Sequence, residues 1–290
     1  MPLKATPGWI CHAASTIIVL LGAVTATAQT PTVPKFENLE KNIKLCSGTD
    51  PQNTPDLQIQ GCSALIESGA DTARTLAITY NNRGNAYAKK GDFDRAIEDY
   101  NQSIKADPKH AKAYNNRGVA YQKKGQYDRA IADLTESITL FPSYPGAFAN
   151  RAETFRKMGQ PDKAIADYSE AIRLQPTLNG VWNGRCWVRA IAGDLPGALS
   201  DCNEAIRREP RTAEAFDSRG LVYYKMGQWN AAVADYSAAL RLQPQLAMSL
   251  YGRGLAKLKL GNEAGGNADI AAAKRIQSTI PDESAVVGLR

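Results

Sequence analysis

Apolar and small residues in this chain fall into a repeating two-beat pattern. In residues 111–144 they stand at Ala113, Tyr114, Gly118 and Tyr121, which is the spacing of one face of a helix. Gly125 breaks that rhythm, as expected just past a helix end. A second helical run follows at Ala130, Ile131, Leu134 and Ile138, and Pro142 stops it. Proline has no N–H to donate and does not fit a helix interior. The pattern predicts a helix A, a short turn, a helix B and a second turn.

The same pattern returns every 34 residues in six frames, beginning at Ala77, Ala111, Pro145, Asn179, Ala213 and Ala247. Gly holds the fifteenth position of each frame: Gly91, Gly125, Gly159, Gly193, Gly227 and Gly261. A small residue holds the twentieth: Ala96, Ala130, Ala164, Ala198, Ala232 and Gly266. The eighth position is also small, at Gly84, Gly118, Ala152, Cys186, Gly220 and Gly254. Small residues on both helices permit close approach. Large residues at the fourth position (Tyr80, Tyr114, Phe148, Trp182, Phe216, Leu250) are expected to wedge between neighbouring units. Pro161 and Pro196 fall at the start of helix B, where the missing N–H costs little. A fixed period of this length predicts stacked hairpins in a right-handed superhelix, with the A helices on its concave face.

The order aromatic-x-x-x-G-x-x-Y-x-x-x-G-x-[FYW]-x-x-A, with Pro twelve residues on, resembles the tetratricopeptide repeat across residues 77–280. The wording NNRGxAYxKKGxxDRAIxDY is similar to repeat arrays exported by many alphaproteobacteria. The resemblance implies an all-α, right-handed α-solenoid of tandem helix-turn-helix units. It also implies a scaffold that binds a protein or peptide in its concave groove. Fold alone does not supply function.

Outside the repeats, residues 36–76 read as a divergent hairpin that caps the stack, with helices near Phe36–Cys46 and Asp56–Glu67. The second helix of frame six carries Asn267 and Lys274, which suits a terminal unit. Residues 281–290 read as a tail. Residues 1–28 read as a secretory signal, with Lys4, an apolar stretch from Ala13 to Val24, and an Ala26-Thr27-Ala28 cleavage site. Residues 29–35 are a Thr/Pro linker. Export is the expectation, with the periplasm as the favoured destination and the cell exterior as the alternative; an uncleaved anchor is the other reading of the apolar stretch. No lipobox cysteine and no stable membrane span are expected after cleavage.

Net charge is +6 and becomes +5 once Lys4 leaves. This modest excess favours acidic partners and does not by itself indicate nucleic acid. After cleavage one histidine remains, His110, in an inter-repeat turn. A His-based triad or multi-His metal site has little to build on, so no catalysis, metal or cofactor is expected.

Four cysteines remain after cleavage: Cys46, Cys62, Cys186 and Cys202. Each neighbouring pair is separated by 16 residues, symmetric about the turn of its hairpin. Residues equidistant from a hairpin turn lie level, so disulfides Cys46–Cys62 and Cys186–Cys202 are expected in an oxidising compartment. Buried free thiols are the alternative.

Arg holds the seventh position in all six frames and Asp the twenty-third. The pairs are Arg83 and Asp99, Arg117 and Asp133, Arg151 and Asp167, Arg185 and Asp201, Arg219 and Asp235, Arg253 and Asp269. A cationic ladder for an acidic ligand is one reading. Ion pairs that fix the repeat, within a hairpin or between units, are the favoured one, because a packing device recurs where a ligand site varies.

By the family resemblance, the second, fifth, ninth, twelfth and thirteenth positions of helix A face the groove. The thirteenth carries Lys123 and Lys157 among five lysines, either a basic groove edge or solvated helix ends. Trp187, Arg156 and Tyr224 are expected to cluster mid-groove, with Tyr251 further along. Trp, Tyr and Arg are frequent interface anchors; Trp187 could instead pack on a neighbouring helix. Asn81, Asn115 and Asn183 at the fifth position could bond a peptide backbone. Asn85 and Asn116 fit parts of the family's carboxylate-clamping pattern, but Asn81 and Gly146 stand where its lysines belong. An enzyme and an RNA-binding repeat protein are the rival readings.

Overall fold

A computed structural model describes residues 34–49, 52–69 and 72–280. The expected signal, the linker up to residue 33 and the tail at 281–290 lie outside them. The described residues form fourteen helices and no strand. The N-terminal hairpin is α1 (Pro34–Ser47) and α2 (Pro55–Ser68). The A helices of the six frames are α3 (Ala73–Lys89), α5 (Ala111–Lys123), α7 (Pro145–Lys157), α9 (Val181–Ala192), α11 (Ala213–Lys225) and α13 (Ala247–Lys259). Their B partners are α4 (Phe93–Ala106), α6 (Tyr127–Leu140), α8 (Pro161–Leu174), α10 (Leu195–Arg208), α12 (Trp229–Leu242) and α14 (Glu263–Ile276). Each A helix packs on its own B helix, and each B helix on the next A. No helix of the described residues is long and apolar enough to cross a membrane.

The turns follow from the glycines. Gly91 sits at φ 79°, a left-handed value that side chains with a Cβ rarely adopt. Gly91 N donates to Ala88 O at 3.0 Å and Asp92 N to Tyr87 O at 3.0 Å, closing the end of α3. Small residues let the helices meet as expected. A Cβ on Gly118 would stand 2.8 Å from the Leu134 side chain and 3.2 Å from the Ala130 carbonyl. Ala130 itself is fully buried.

Three boundaries differ from the sequence expectation. Helix α1 starts at Pro34, so Pro34 and Lys35 belong to its first turn and not to the linker. Proline suits that position. Helix α3 starts a turn before Ala77, because Thr72 Oγ1 accepts the Thr75 N–H at 3.2 Å and caps it. Helix α9 starts at Val181, two residues into its frame. Gly180 there is left-handed at φ 76°, and its N–H donates to Glu209 Oε1 at 2.9 Å. At the far end Ile280 is buried against Leu240, Ala247, Leu250 and Ala273, covering the last hairpin.

Candidate binding groove

The A helices present a cleft of about 690 Å³ in the first half of the array. Its walls come from the end of α1, from Gln58 of α2, from α3, α4 and α5, and from Asn150 of α7. Asn82, Asn85, Asn115 and Asn116 line it together with Phe93, Tyr100 and Val119. Lys89 and Lys123 stand at one edge, and no carboxylate lines it.

The asparagines form a connected network across three A helices. Asn150 Nδ2 donates to Asn115 Oδ1 at 2.9 Å, and Asn115 Nδ2 to Asn116 Oδ1 at 3.0 Å. Asn116 Nδ2 donates to Asn81 Oδ1 at 3.0 Å and to Asn85 Oδ1 at 2.9 Å. Tyr100 donates its hydroxyl to Asn85 Oδ1 at 2.9 Å. Two donors therefore fill the Asn85 acceptor, while its Nδ2 has no bond to a described residue. Asn82 makes no side-chain hydrogen bond among the described residues and lines the same cleft. An amide held in place with a donor to spare, as at Asn85, suits the carbonyls of an extended backbone.

The residues expected mid-groove come together only in part. The Arg156 guanidinium lies over the Trp187 ring, 4.6 Å from its centroid. Arg156 is already engaged, however, in a fork with Glu153 at 2.6 Å on each arm. That hydrogen bond raises its pKa. Tyr168 donates its hydroxyl to Glu153 at 3.1 Å, and Lys157 Nζ lies 3.8 Å from Glu153. Burial alone would raise the Glu153 pKa, but these donors hold it below the ordinary value. Tyr224 is 8% exposed and packs in the core between units four and six, so it does not line an open site with Trp187. Tyr251 packs against the last hairpin. Asn81 and Asn115 are buried in the network above, and both bond Asn116. Asn183 is half-buried and its Oδ1 lacks a partner among the described residues.

A second buried polar cluster lies further along. Ser249 donates its hydroxyl to Asp217 Oδ1. Burial pushes the Asp217 carboxyl up to about 6. Tyr236 is buried with its hydroxyl unpartnered among the described residues. In frames one and three the equivalent tyrosines donate to Asn85 and Glu153, at the ninth position. Frame five has Leu221 there, which offers no acceptor.

All six Arg–Asp pairs form, each within its own hairpin. Nε and Nη2 grip the two carboxylate oxygens, as in Arg151 to Asp167 at 2.7 and 2.9 Å. The remaining Nη1 reaches the preceding B helix. It bonds Ser63, Asn101, Thr135, Ser169, Asn203 and Ser237 in turn. The guanidinium also covers the aromatic ring at the fourth position, 5.2 Å from Trp182 and 5.8 Å from Phe148 and Phe216. All three nitrogens of each of these arginines are therefore engaged by the scaffold. Lys225 at the thirteenth position donates to the Ala190 carbonyl at 2.9 Å, and burial lowers its pKa. Lys225 is half-buried between two A helices, neither a solvated helix end nor a groove edge, whereas Lys89 and Lys123 are exposed at the cleft.

Both cysteine pairs stand at disulfide distance, with Cα separations of 4.6 Å for Cys46 and Cys62 and 5.3 Å for Cys186 and Cys202. Among the described residues no three His, Cys, Asp or Glu side chains converge as a metal site.

The family described as "TPR repeat" matches residues 84–125 and 220–261, and "Tetratricopeptide repeat" matches residues 111–144 and 145–178. The chain is a tetratricopeptide repeat (TPR) protein. Solved structures with the same fold include YrrB, titled a TPR protein with an unusual peptide-binding site. It is 23% identical at a TM-score of 0.53, covering 66% of this chain and 96% of that one. A TPR protein from Parabacteroides merdae is 17% identical at a TM-score of 0.64, covering 87% and 97%. PilW, titled a type IV pilus biogenesis factor, is 18% identical at 0.62, covering 71% and 94%. No curated protein matches the chain.

Within this TPR array, sequence reasoning missed Asn82, Asn150 and Gln58. The signal was present as asparagine crowding in the first three A helices, at positions beside the fifth. The Nη1 partner of five of the six arginines was missed as well, although the twenty-fifth position is a short polar residue in frames one to five.

Proposed function

We propose that this TPR protein is an exported, non-enzymatic scaffold that holds an extended segment of another protein in its concave groove. The observation that carries this reading is the amide-lined cleft of α3, α5 and α7, with its spare Asn82 and Asn85 donors. Backbone carbonyls in an extended chain recur at short intervals and need such donors once water is displaced. The peptide-binding and pilus-biogenesis descriptions of YrrB and PilW support a role of this kind. The signal-like residues 1–28 support work in the periplasm, in assembly or maintenance of the envelope.

The test is retention of partners from an envelope extract on the immobilised mature chain. Wild type is compared with Val119→Arg plus Lys123→Glu, which block the cleft, and with Trp187→Ala. The cleft variant, folded by circular dichroism, is expected to lose a defined set of proteins that Trp187→Ala keeps. An identical retained set would remove the cleft from the reading. Mass of the chain recovered from the periplasmic fraction tests export: it should start at Gln29.

A further inference from the structure

A second cleft of about 470 Å³ opens beside the first, and Asn82 lines both. The turn between α4 and α5 makes one wall, α3 another, and the end of α6 a third. Two large apolar side chains face solvent within it: Ile78 is 44% exposed and Phe141 45%. The Phe141 ring is held in place by stacking on Tyr144, with centroids 5.9 Å apart.

Three cations share this cleft: Arg74, Lys109 and Lys112. None makes an ion pair among the described residues, unlike the repeated arginines. One carboxylate lines the cleft, Asp107, and its Oδ1 accepts the Lys109 backbone N–H at 3.0 Å. His110 adds no charge near neutral pH, because burial lowers its pKa and its Nδ1 pairs with Ser103 Oγ at 3.0 Å. With Lys89 and Lys123 of the first cleft, five cations face one carboxylate.

These residues do not belong to the repeat pattern. The second position is Ile78 and Lys112 in the first two frames, then Gly146, Gly180, Glu214 and Met248. The position of Phe141 is Asp107, Gln175, Glu209, Gln243 and Gln277 in the other five frames. The exposed pair and the unpaired cations therefore contribute nothing that the fold requires in every unit. An apolar surface ringed by uncompensated positive charge complements an apolar side chain flanked by carboxylates.

We infer that the segment held by the groove is acidic, with one large apolar side chain seated between Ile78 and Phe141 and carboxylates facing Arg74, Lys109 and Lys112. This inference rests on the groove reading above and names the ligand class for it.

Fluorescence anisotropy with labelled synthetic peptides on the full mature chain tests it. The probe has a central phenylalanine with glutamates on both sides. One control replaces the phenylalanine with serine, a second replaces the glutamates with glutamines, and a third is an oligothymidylate. The probe should bind at least about tenfold tighter than each control. Ile78→Ser plus Phe141→Ser should abolish the preference for phenylalanine and keep that for glutamate. Lys109→Glu plus Lys112→Glu should do the reverse. All four sites are exposed, and circular dichroism checks the fold. Preferences unchanged in both variants would overturn the inference, as would oligothymidylate binding as tightly as the probe. If the envelope extract still yields cleft-dependent partners while the probe shows no preference, the groove reading stands and this one falls. If the extract yields none either, both fall.

Discussion

Arg117 and Asp133 meet face to face across the second repeat, Nε to Oδ2 and Nη2 to Oδ1, both at 2.7 Å. Their side chains are 18% and 10% exposed. Such a fork is geometrically specific, and a half-removed one leaves a buried charge without its partner. Arg117→Ala should therefore lower stability by about 3–5 kcal/mol. Arg117→Lys keeps the charge but not the fork, and should cost about 1–2 kcal/mol. Urea titration followed by circular dichroism measures both. A midpoint for Arg117→Ala equal to wild type would show the pair to be ornamental.

The two cysteine pairs should be oxidised in protein recovered from the periplasm. Intact mass after alkylation without reductant should show no modified thiol, and four after reduction. Each bridge closes a short loop, and reduction should lower stability by roughly 3 kcal/mol per bridge. Four alkylated cysteines in unreduced protein would contradict this.

Gly252 is forced by its neighbour. A Cβ there would lie 2.5 Å from Tyr236 Cζ and 2.7 Å from its hydroxyl. Gly252→Ala should cost about 1–3 kcal/mol through overpacking. Tyr236→Leu places at this site the side chain that frame two carries at Leu134. In that background the alanine should be nearly neutral. A double-mutant cycle reads the coupling, and simple additivity would refute the clash.

Burial of Asp217 gives stability a pH dependence. Its carboxyl is pushed from 3.8 to about 6 by burial, with Glu214 adding to the rise and the Ser249 hydroxyl opposing it. The folded chain thus binds a proton that the unfolded chain releases. The stability linked to that proton is fully present below about pH 4 and is lost as pH rises through about 6. At roughly 1.4 kcal/mol per unit the loss approaches about 3 kcal/mol. Asp217→Asn should melt higher than wild type at about pH 7.5 and alongside it near pH 4. Parallel melting curves at both values would dismiss the effect.

The repeat made the fold and the ion pairs legible, because six aligned copies of Arg and Asp leave little else for them to do. The third arm of each arginine was harder to see. Its acceptor changes identity among Asn101, Thr135, Ser169, Asn203 and Ser237 while keeping its chemistry, so residue matching passes over it. Tyr224 misled for a different reason. The twelfth position carries Ala88, Gln122 and Arg156 in earlier frames, and variation there suggests a free surface. The same position is in fact buried in frames two, four and five, at Gln122, Ala190 and Tyr224, and in the fifth it packs beside Val222 and Tyr236. The asparagine cleft depends on contacts 31 to 35 residues apart, which require the register between units as well as the pattern within one.

The arginine's Nη1 always points backwards, to the unit before its own. In the sixth unit the twenty-fifth position is Ala271, which has no hydroxyl or amide to offer a later arginine. The stack therefore has a direction, like roof tiles each hooked on the course below. Lifting the final hairpin leaves no repeat arginine beneath it without its acceptor, since Arg219 rests on Asn203 of the unit before. Removing the first one strands Arg83, whose Nη1 rests on Ser63 of α2. Fraying from the two ends is not equivalent, and arrays shortened by a whole hairpin should tolerate loss of α13 with α14 better than loss of α1 with α2.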